Sequence, residues 1–424
     1  MATVRDAGRD KTLLIISQTF VPDPAAVGQH VADFAIEMAR RGRRVRVLAS
    51  ARGYENPQAK YPPRENLRGV DVRRLPLASF GKRSILLRLL GTAAFMSQIF
   101  FRALLTPNLA GIFFSTSPPM VGLVGTIVAM IRRVPCVYWA MDLNPDQLIA
   151  LGKIREHSFT ARLIEGVNRW ILRRSDLIVA LDRFMAERLE RRDPKLRKKI
   201  FVLPPWPHEE HITGGDSGAS TNGDANPFRE RHGLRGKFVV MYSGNHSPSN
   251  PLDTILQAAK ELRDDADLRF LFVGGGIGKK DVEAFIAEHE LSHVLSLPYQ
   301  PLSELKHSLG AADVHVVSLG QDMVGIIHPC KIYGAMAASK PVLFLGPKPS
   351  HINDLMETHH LGWHVAHGDV AGAVAALREM RSMPREKLLA LGSHARAVLQ
   401  ESLSQQRLCR AMADRVEAVI FGGG

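Results

Sequence analysis

At 424 residues the chain exceeds one typical domain and fits two or three. Its composition, 45% hydrophobic and 23% charged, is that of an ordinary soluble globular protein, and three scattered cysteines (Cys136, Cys330, Cys409) without a CxxC pair argue against a disulfide framework or structural zinc. The net charge of +13 is lopsided: residues 1–200 carry 34 Lys/Arg against 17 Asp/Glu, and the remainder 21 against 25. A basic half beside a slightly acidic half implies two domains with different partners. With no zinc-finger spacing, RNP-like aromatic motif or basic zipper, nucleic acid is set aside, and an anionic membrane surface is the expected partner of the basic half.

Residues 1–11 lack the apolar core of a signal peptide, so the expected location is the cytoplasm. Strands are then predicted at 12–17, 44–49, 70–74, 111–115, 134–139, 177–180 and 200–203, with helices such as 28–41 and 159–174 between them. The segment 84–105 is apolar nearly all round. Its arginines, Arg88 and Arg102, fall within about 40° of each other on a helix, and Lys82 and Arg83 precede it. Such a helix either packs in a core or lies in a bilayer interface; arginine makes a spanning helix costly. The uncharged run 103–131 is broken by Ser115-Thr-Ser-Pro-Pro119 and reads as strand, turn and helix rather than a membrane span.

Past Pro204-Pro-Trp-Pro207 the one low-complexity stretch, 212–226, is expected to be a flexible loop. Strands follow at 238–243, 269–273, 294–297, 314–319 and 341–345, with helices at 252–263, 280–289, 303–311 and 369–380. The alternation predicts an α/β protein with two doubly wound, parallel-sheet domains: an N-terminal one over 1–207, a second over 208–400, and a helix over 401–424 crossing back to the first. Ligands of such sheets bind at the carboxyl ends of the strands, where the notable loops lie: 18–28, 115–119, 142–146, 244–250, 274–278, 298–301 and 325–331.

The last loop is the most informative. Gly325-Ile-Ile-His-Pro-Cys-Lys331 is broken by glycine and proline and opens a short helix of small residues. Unpaired N–H groups at a helix start favour an anion, Lys331 adds a mobile positive charge, and His328 a second donor. The diphosphate of a nucleotide-sugar is the ligand this suggests; an ordinary strand-to-helix connection with a surface lysine is the alternative.

Val21-Pro-Asp23 with Gly28, Thr116-Ser-Pro-Pro119, Asp142-Leu-Asn-Pro-Asp146, Tyr242-Ser-Gly-Asn245 with Leu252-Asp-Thr-Ile-Leu256, Leu297-Pro-Tyr-Gln-Pro301, Ala311-Ala-Asp313, and Pro329-Cys-Lys-Ile-Tyr333 through Val342 occur in one order and spacing. By these motifs the chain resembles the family 4-like retaining glycosyltransferases of the GT-B fold, in particular the WbuB- and WcaI-like enzymes of bacterial surface-polysaccharide synthesis. The resemblance covers nearly the whole chain. It implies transfer from a nucleotide-sugar, UDP-linked by default, to a lipid-linked or oligosaccharide acceptor at the inner face of the cell membrane, with no metal or cofactor. Lys331 and His328 would be catalytic. Gly28, Gly244, Asn245, His246, Gly275, Tyr299, Gln300, Gly325, Ile326, Ile327, Pro329 and Cys330 would hold the donor, and Pro22, Asp23, Ser117, Asp142 and Asp146 the acceptor. For Asp142 and Asp146, solvation and a turn around Pro145 are the competing reading.

The chain also departs from the family. Two glutamates usual at the opening loop are replaced at Ile326 and Gly334, and the donor-loop Arg and Lys fall near Asn245 and Asn250. Lys331, His328 and His246 are the residues left to form a different set. A non-catalytic scaffold binding polyanions or membrane, and a sugar-nucleotide epimerase, are the rival functions on the same fold.

Overall fold

The computed structural model describes residues 10–23, 25–53, 58–76, 85–118, 120–207 and 226–422, with the side chains of 85–90 excepted. The loop expected at 212–226, apart from Asn226, and the Lys82–Arg83 flank lie outside the described residues, as does the Arg88 side chain. The chain forms two compact units: Met1–Pro205 joined by Gln406–Gly424, and Trp206–Gln405.

The first unit contains β1 (Thr12–Ile16), α1 (Ala26–Arg40), β2 (Arg44–Ser50), β3 (Arg64–Leu67), β4 (Val70–Leu75), α2 (Ile85–Leu104), β5 (Leu109–Ser115), α3 (Val121–Arg132), β6 (Cys136–Ala140), α4 (Asp146–Ala150), α5 (Phe159–Arg174), β7 (Leu177–Ala180), α6 (Arg183–Arg192) and β8 (Ile200–Val202). The second contains α7 (Pro227–Arg231), β9 (Phe238–Ser243), α8 (Asp253–Glu261), β10 (Leu268–Val273), α9 (Lys279–Glu288), β11 (Val294–Leu297), α10 (Leu305–Gly310), β12 (Val314–Ser318), α11 (Lys331–Ala337), β13 (Val342–Leu345), α12 (His351–His359), β14 (Gly362–Val365), α13 (Val370–Ser382) and α14 (Arg385–Ser402). The last helix, α15 (Gln405–Phe421), belongs almost wholly to the first unit.

The first sheet runs β3-β4-β2-β1-β5-β6-β7-β8 and is parallel except for β3. Every residue of β1, β5 and β7 is buried, as a sheet covered on both faces requires. Strand order reverses between β1 and β5, so the loops after these two strands adjoin. Helix α2 resolves the alternatives left open for segment 84–105 in part: Phe95, Ile99 and Ala103, at i, i+4 spacing, are buried in the core, while Phe101 (59% exposed) and Leu105 (76%) face outward.

Helix α15 is pinned to the first unit by charge and by fit. Arg41 bonds Asp414 at 2.6 Å and Glu417 at 3.1 Å, and Arg43 reaches Glu417 at 2.6 Å. Gly111 in β5 leaves room for Ile420, since a Cβ there would lie 2.8 Å from the isoleucine Cγ2.

The second sheet, β11-β10-β9-β12-β13-β14, is wholly parallel. Its order reverses between β9 and β12, which sets the loop after β9 (244–252) beside the loop after β12 (319–330). Phe270, Phe272, Tyr242, Leu343 and Leu345 fill one face of this sheet. The other is closed by Phe228 and by Arg229, whose guanidinium bonds Asp313 at 2.6 Å and the Ala311 carbonyl at 2.8 Å.

Candidate active site

In the second unit the reversal point brings Lys331 against Gly244. Gly244 has φ +137°, and a Cβ there would sit 2.6 Å from Lys331 Cε, so only glycine admits the lysine stem. The ammonium lies 5.4 Å from the centroid of the Tyr242 ring and donates to Asn250 Oδ1 at 3.3 Å. Tyr242 donates in turn to the Asn245 carbonyl at 2.7 Å, which shapes the loop. Among the described residues no carboxylate pairs with Lys331, and burial lowers its pKa to about 8. A desolvated ammonium with one weak hydrogen bond is a site waiting for an anion. The departure at Asn250 thereby gains a reason: an amide at this position accepts from Lys331, where a second lysine would repel it.

The loop ahead of the helix has part of its backbone already engaged. Helix α11 is seven residues long, with no side-chain cap at Cys330. The N–H groups of Ile326 and Ile327, in the loop before the helix, both turn back to the Met323 carbonyl, at 3.0 and 3.3 Å. Gly325 (φ +68°) allows that turn, and Ile326 is buried. His328 is buried and hydrogen-bonded to Tyr333 Oη at 2.8 Å, which meets His351 Nε2 at 3.2 Å. This places the His328 ring in a histidine–tyrosine–histidine chain beside the clamp. Pro329 is buried, and the Cys330 thiol, exposed to solvent, reaches the His328 carbonyl at 3.5 Å.

At the carboxyl ends of β10 and β11, Tyr299 lies over Gly275, where a Cβ would come 2.9 Å from the ring. Gln300 bonds the Pro298 carbonyl at 2.9 Å. Lys279, which the motifs did not single out, ties these two strand ends together through the Gly274 (2.9 Å) and Leu297 (2.6 Å) carbonyls. The adjoining His246 is 1% exposed, and neither ring nitrogen makes a hydrogen bond of normal geometry, although the Gly275 and Gly244 carbonyls are close. Burial foremost, with Lys279 and Lys331 nearby, lowers its pKa and keeps it neutral at pH 7.

In the first unit a cavity of about 220 Å³ opens at the carboxyl ends of β5 and β6, between α3 and α5. Asp142 lines it with Tyr138, Asn144, Asn168 and Thr116. Burial pushes the Asp142 carboxyl up to about 6. Asp146 does not line this cavity: it is buried and held by Arg188 (3.1 Å) and by Arg192, a structural ion pair that ties α4 to α6. Ser117 is partly buried beside the cavity, its carbonyl accepting from Gln18 N at 3.0 Å. Pro22 is exposed, while Asp23 is buried and accepts from Ala25 N at 3.1 Å, a turn-forming role. Gly28 is small for a local reason: a Cβ would lie 3.0 Å from the Phe20 nitrogen, so its absence lets α1 press on its own preceding loop.

Two family descriptions match along the chain, "Glycosyl transferase 4-like domain" over residues 25–206 and "Glycosyl transferases group 1" over 224–398. The chain belongs to the family 4-like glycosyltransferases, and its two units have the GT-B architecture. It is 26% identical to a probable glycosyltransferase WbjE of Pseudomonas aeruginosa over 62% of this chain and 63% of that one, just under two thirds of the relative's length. It is 23% identical to a putative colanic acid biosynthesis glycosyl transferase WcaI of Escherichia coli over 93% of this chain and 98% of that one. Among solved structures, HepE of Anabaena in complex with UDP-glucose superimposes with a TM-score of 0.67 at 16% identity, covering 96% of this chain and 99% of that one.

Proposed function

We propose that the chain transfers a sugar from a UDP-sugar, with retention of anomeric configuration, to a lipid-linked saccharide in surface-polysaccharide synthesis. The observation that carries this reading is Lys331, an ammonium desolvated against Gly244 with no carboxylate partner among the described residues. In the proposed reaction the donor's diphosphate lies at this ammonium. As the bond from the anomeric carbon to the diphosphate oxygen breaks, negative charge grows on the leaving group and Lys331 offsets it. The acceptor hydroxyl forms the new bond and its proton passes to a leaving phosphate oxygen, so no protein base or metal is required. Asp142, ionised, accepts a hydrogen bond from the acceptor and orients it in the cavity between α3 and α5. UDP is favoured because a protein of like fold binds UDP-glucose, and the polysaccharide setting because WcaI bears that description.

The acceptor's lipid would keep the enzyme at the inner face of the cell membrane. No described helix is long and apolar enough to cross a membrane. Phe101 on α2 and Leu105 just after it, Met130 and Ile131 at the end of α3, and Phe159 and Leu163 on α5 are exposed, with Arg102, Arg133 and Arg162 exposed beside them. Apolar side chains ringed by arginine suit an anionic bilayer surface.

The test is a panel of nucleotide-sugars scored by thermal stabilisation, followed by turnover with membrane extract. At least one UDP-sugar is expected to stabilise the protein and to be consumed, and Lys331→Ala to abolish both effects. No stabilisation by any member, or wild-type turnover in Lys331→Ala, overturns the reading.

A further inference from the structure

Lys279 stands where helix physics disfavours it. It is the first residue of α9, directly after Gly278, and a cation at a helix start opposes the macrodipole. Its side chain turns away from the helix and back to the sheet. Nζ donates to the Gly274 carbonyl at 2.9 Å and to the Leu297 carbonyl at 2.6 Å, with Glu283 farther off at 3.8 Å. Leu297 forms the last rung of the β10–β11 ladder, and its carbonyl also accepts from Gly274 N at 2.9 Å. Two of the three ammonium protons are spent on backbone and the side chain is only 19% exposed, so Lys279 is no open anion contact itself.

What it holds bears on the clamp. Gly274 (φ +137°) packs directly on Gly244, and a Cβ at Gly274 would run into the Gly244 carbonyl oxygen. Gly244 in turn leaves the space that the Lys331 stem fills. Gly244 N donates to the Val273 carbonyl at 2.9 Å, His246 N to the Gly275 carbonyl at 2.7 Å, and Gly278 N to the His246 carbonyl at 3.0 Å. Lys279, Gly274, Gly244 and Lys331 therefore form one line of contacts with two bare glycines in the middle. Glycine backbone is the least restrained of any, so its position is set by what grips its ends. His246, whose pKa is lowered by burial first and then by Lys279 and Lys331, lies near both cations. With asparagine at 245 and 250, Lys331 has no second cation on the 244–250 loop to share its task. We infer that Lys279 is a positioning residue for Lys331: by fixing the 274–278 loop it sets the Gly244 slot and so holds the Lys331 ammonium in place for the donor's diphosphate. This role rests on the proposed sugar transfer only for the choice of UDP as probe.

Isotope labelling of lysine side chains in the full chain lets NMR follow Lys331 itself, its signal assigned by its absence in Lys331→Met. In the wild type that signal is expected to titrate at about pH 8. Lys279→Met removes both carbonyl bonds. The Lys331 titration is then expected to move upward by at least half a pH unit, and UDP affinity to fall at least 10-fold. Lys279→Arg, whose planar fork can donate to both carbonyls, should keep UDP affinity within 3-fold and the titration near its wild-type position. Should Lys279→Met not fold, Lys279→Gln, a milder loss, carries the same two readouts. Both readouts unchanged overturn the inference. So does lost UDP affinity with the Lys331 titration unmoved, which would make Lys279 a ligand contact in its own right. A shift that disappears at high salt overturns it too, because that would be direct repulsion between the two cations. A wild type that binds no UDP counts against the proposed function instead, and the Lys331 titration still decides the role of Lys279.

Discussion

Replacing Lys331 with methionine should make the free protein more stable and the liganded protein less so. Burial lowers the ammonium from an ordinary 10.5 to about 8. A lysine whose folded pKa lies below its unfolded one weakens the fold wherever it is protonated, fully below pH 8, and the penalty fades as pH rises toward 10.5. At about 1.4 kcal/mol per pH unit that gap caps the penalty at about 3.5 kcal/mol. The Asn250 hydrogen bond and the partial exposure of the side chain reduce it to about 1–2 kcal/mol. Methionine keeps the unbranched stem between Gly244 and Tyr242 without the charge. For a unit of this size the melting temperature should rise by about 2–6 °C at pH 7. Scanning calorimetry at pH 7, 8, 9 and 10 should show that advantage narrowing step by step, while UDP raises the wild-type transition and leaves Lys331→Met unmoved. A variant that melts at or below wild type at pH 7, or an advantage that persists unchanged to pH 10, refutes the account of an uncompensated buried charge.

Three further outcomes bear on the remaining residues. Asp142, pushed up to about 6, must be ionised to accept from the acceptor, so turnover should climb as pH rises through about 6; Asp142→Asn should lose that limb and about 10²-fold in rate, and a flat wild-type profile from pH 5 to 7 would remove its role. Gly244→Ala sets a Cβ 2.6 Å from Lys331 Cε at φ +137°, with strain of about 1–3 kcal/mol, and should lose UDP-induced stabilisation as Lys331→Ala does; normal UDP binding would show that the two loops are slack. Asp146→Asn should lower stability by about 2–4 kcal/mol by stranding Arg188 and Arg192 while leaving the acceptor KM unchanged; a raised KM at unaltered stability would restore Asp146 as an acceptor contact.

The strands legible in the sequence to the residue are those whose apolar runs have sharp ends, whether buried throughout, as Leu177–Ala180 is, or only at Val294, as in β11. Leu177–Ala180, Phe238–Ser243 and Val294–Leu297 are apolar-rich runs between polar or glycine boundaries, and the structure returns the same limits. β3 escaped because Arg64-Glu-Asn-Leu67 is an antiparallel edge with little to bury, and β14 because Gly362-Trp-His-Val365 is a four-residue edge strand. The helix expected at 303–311 divides into a 3₁₀ turn, Leu302–Glu304, and a six-residue α-helix. Lys331 was visible as a lone cation in a loop. Its partners were not, because Tyr242 and Asn250 meet it only where strand order reverses between β9 and β12, a relation no local window encodes. The same limit hid the turn Gln321–Met323, whose last carbonyl takes up the N–H groups of Ile326 and Ile327.

Helix α15 has a consequence for how the protein is made. It is synthesised after the whole of the second unit, yet Arg41, Arg43 and the bare backbone of Gly111 belong to the first few strands and helices. Between them the ribosome must produce the roughly 200 residues of the second unit, which at bacterial-scale rates takes about 10–40 s. Throughout that interval the early unit stands incomplete, its β5 face uncovered, while the later unit is contiguous and free to close by itself. The order of completion is thus the reverse of the order of synthesis.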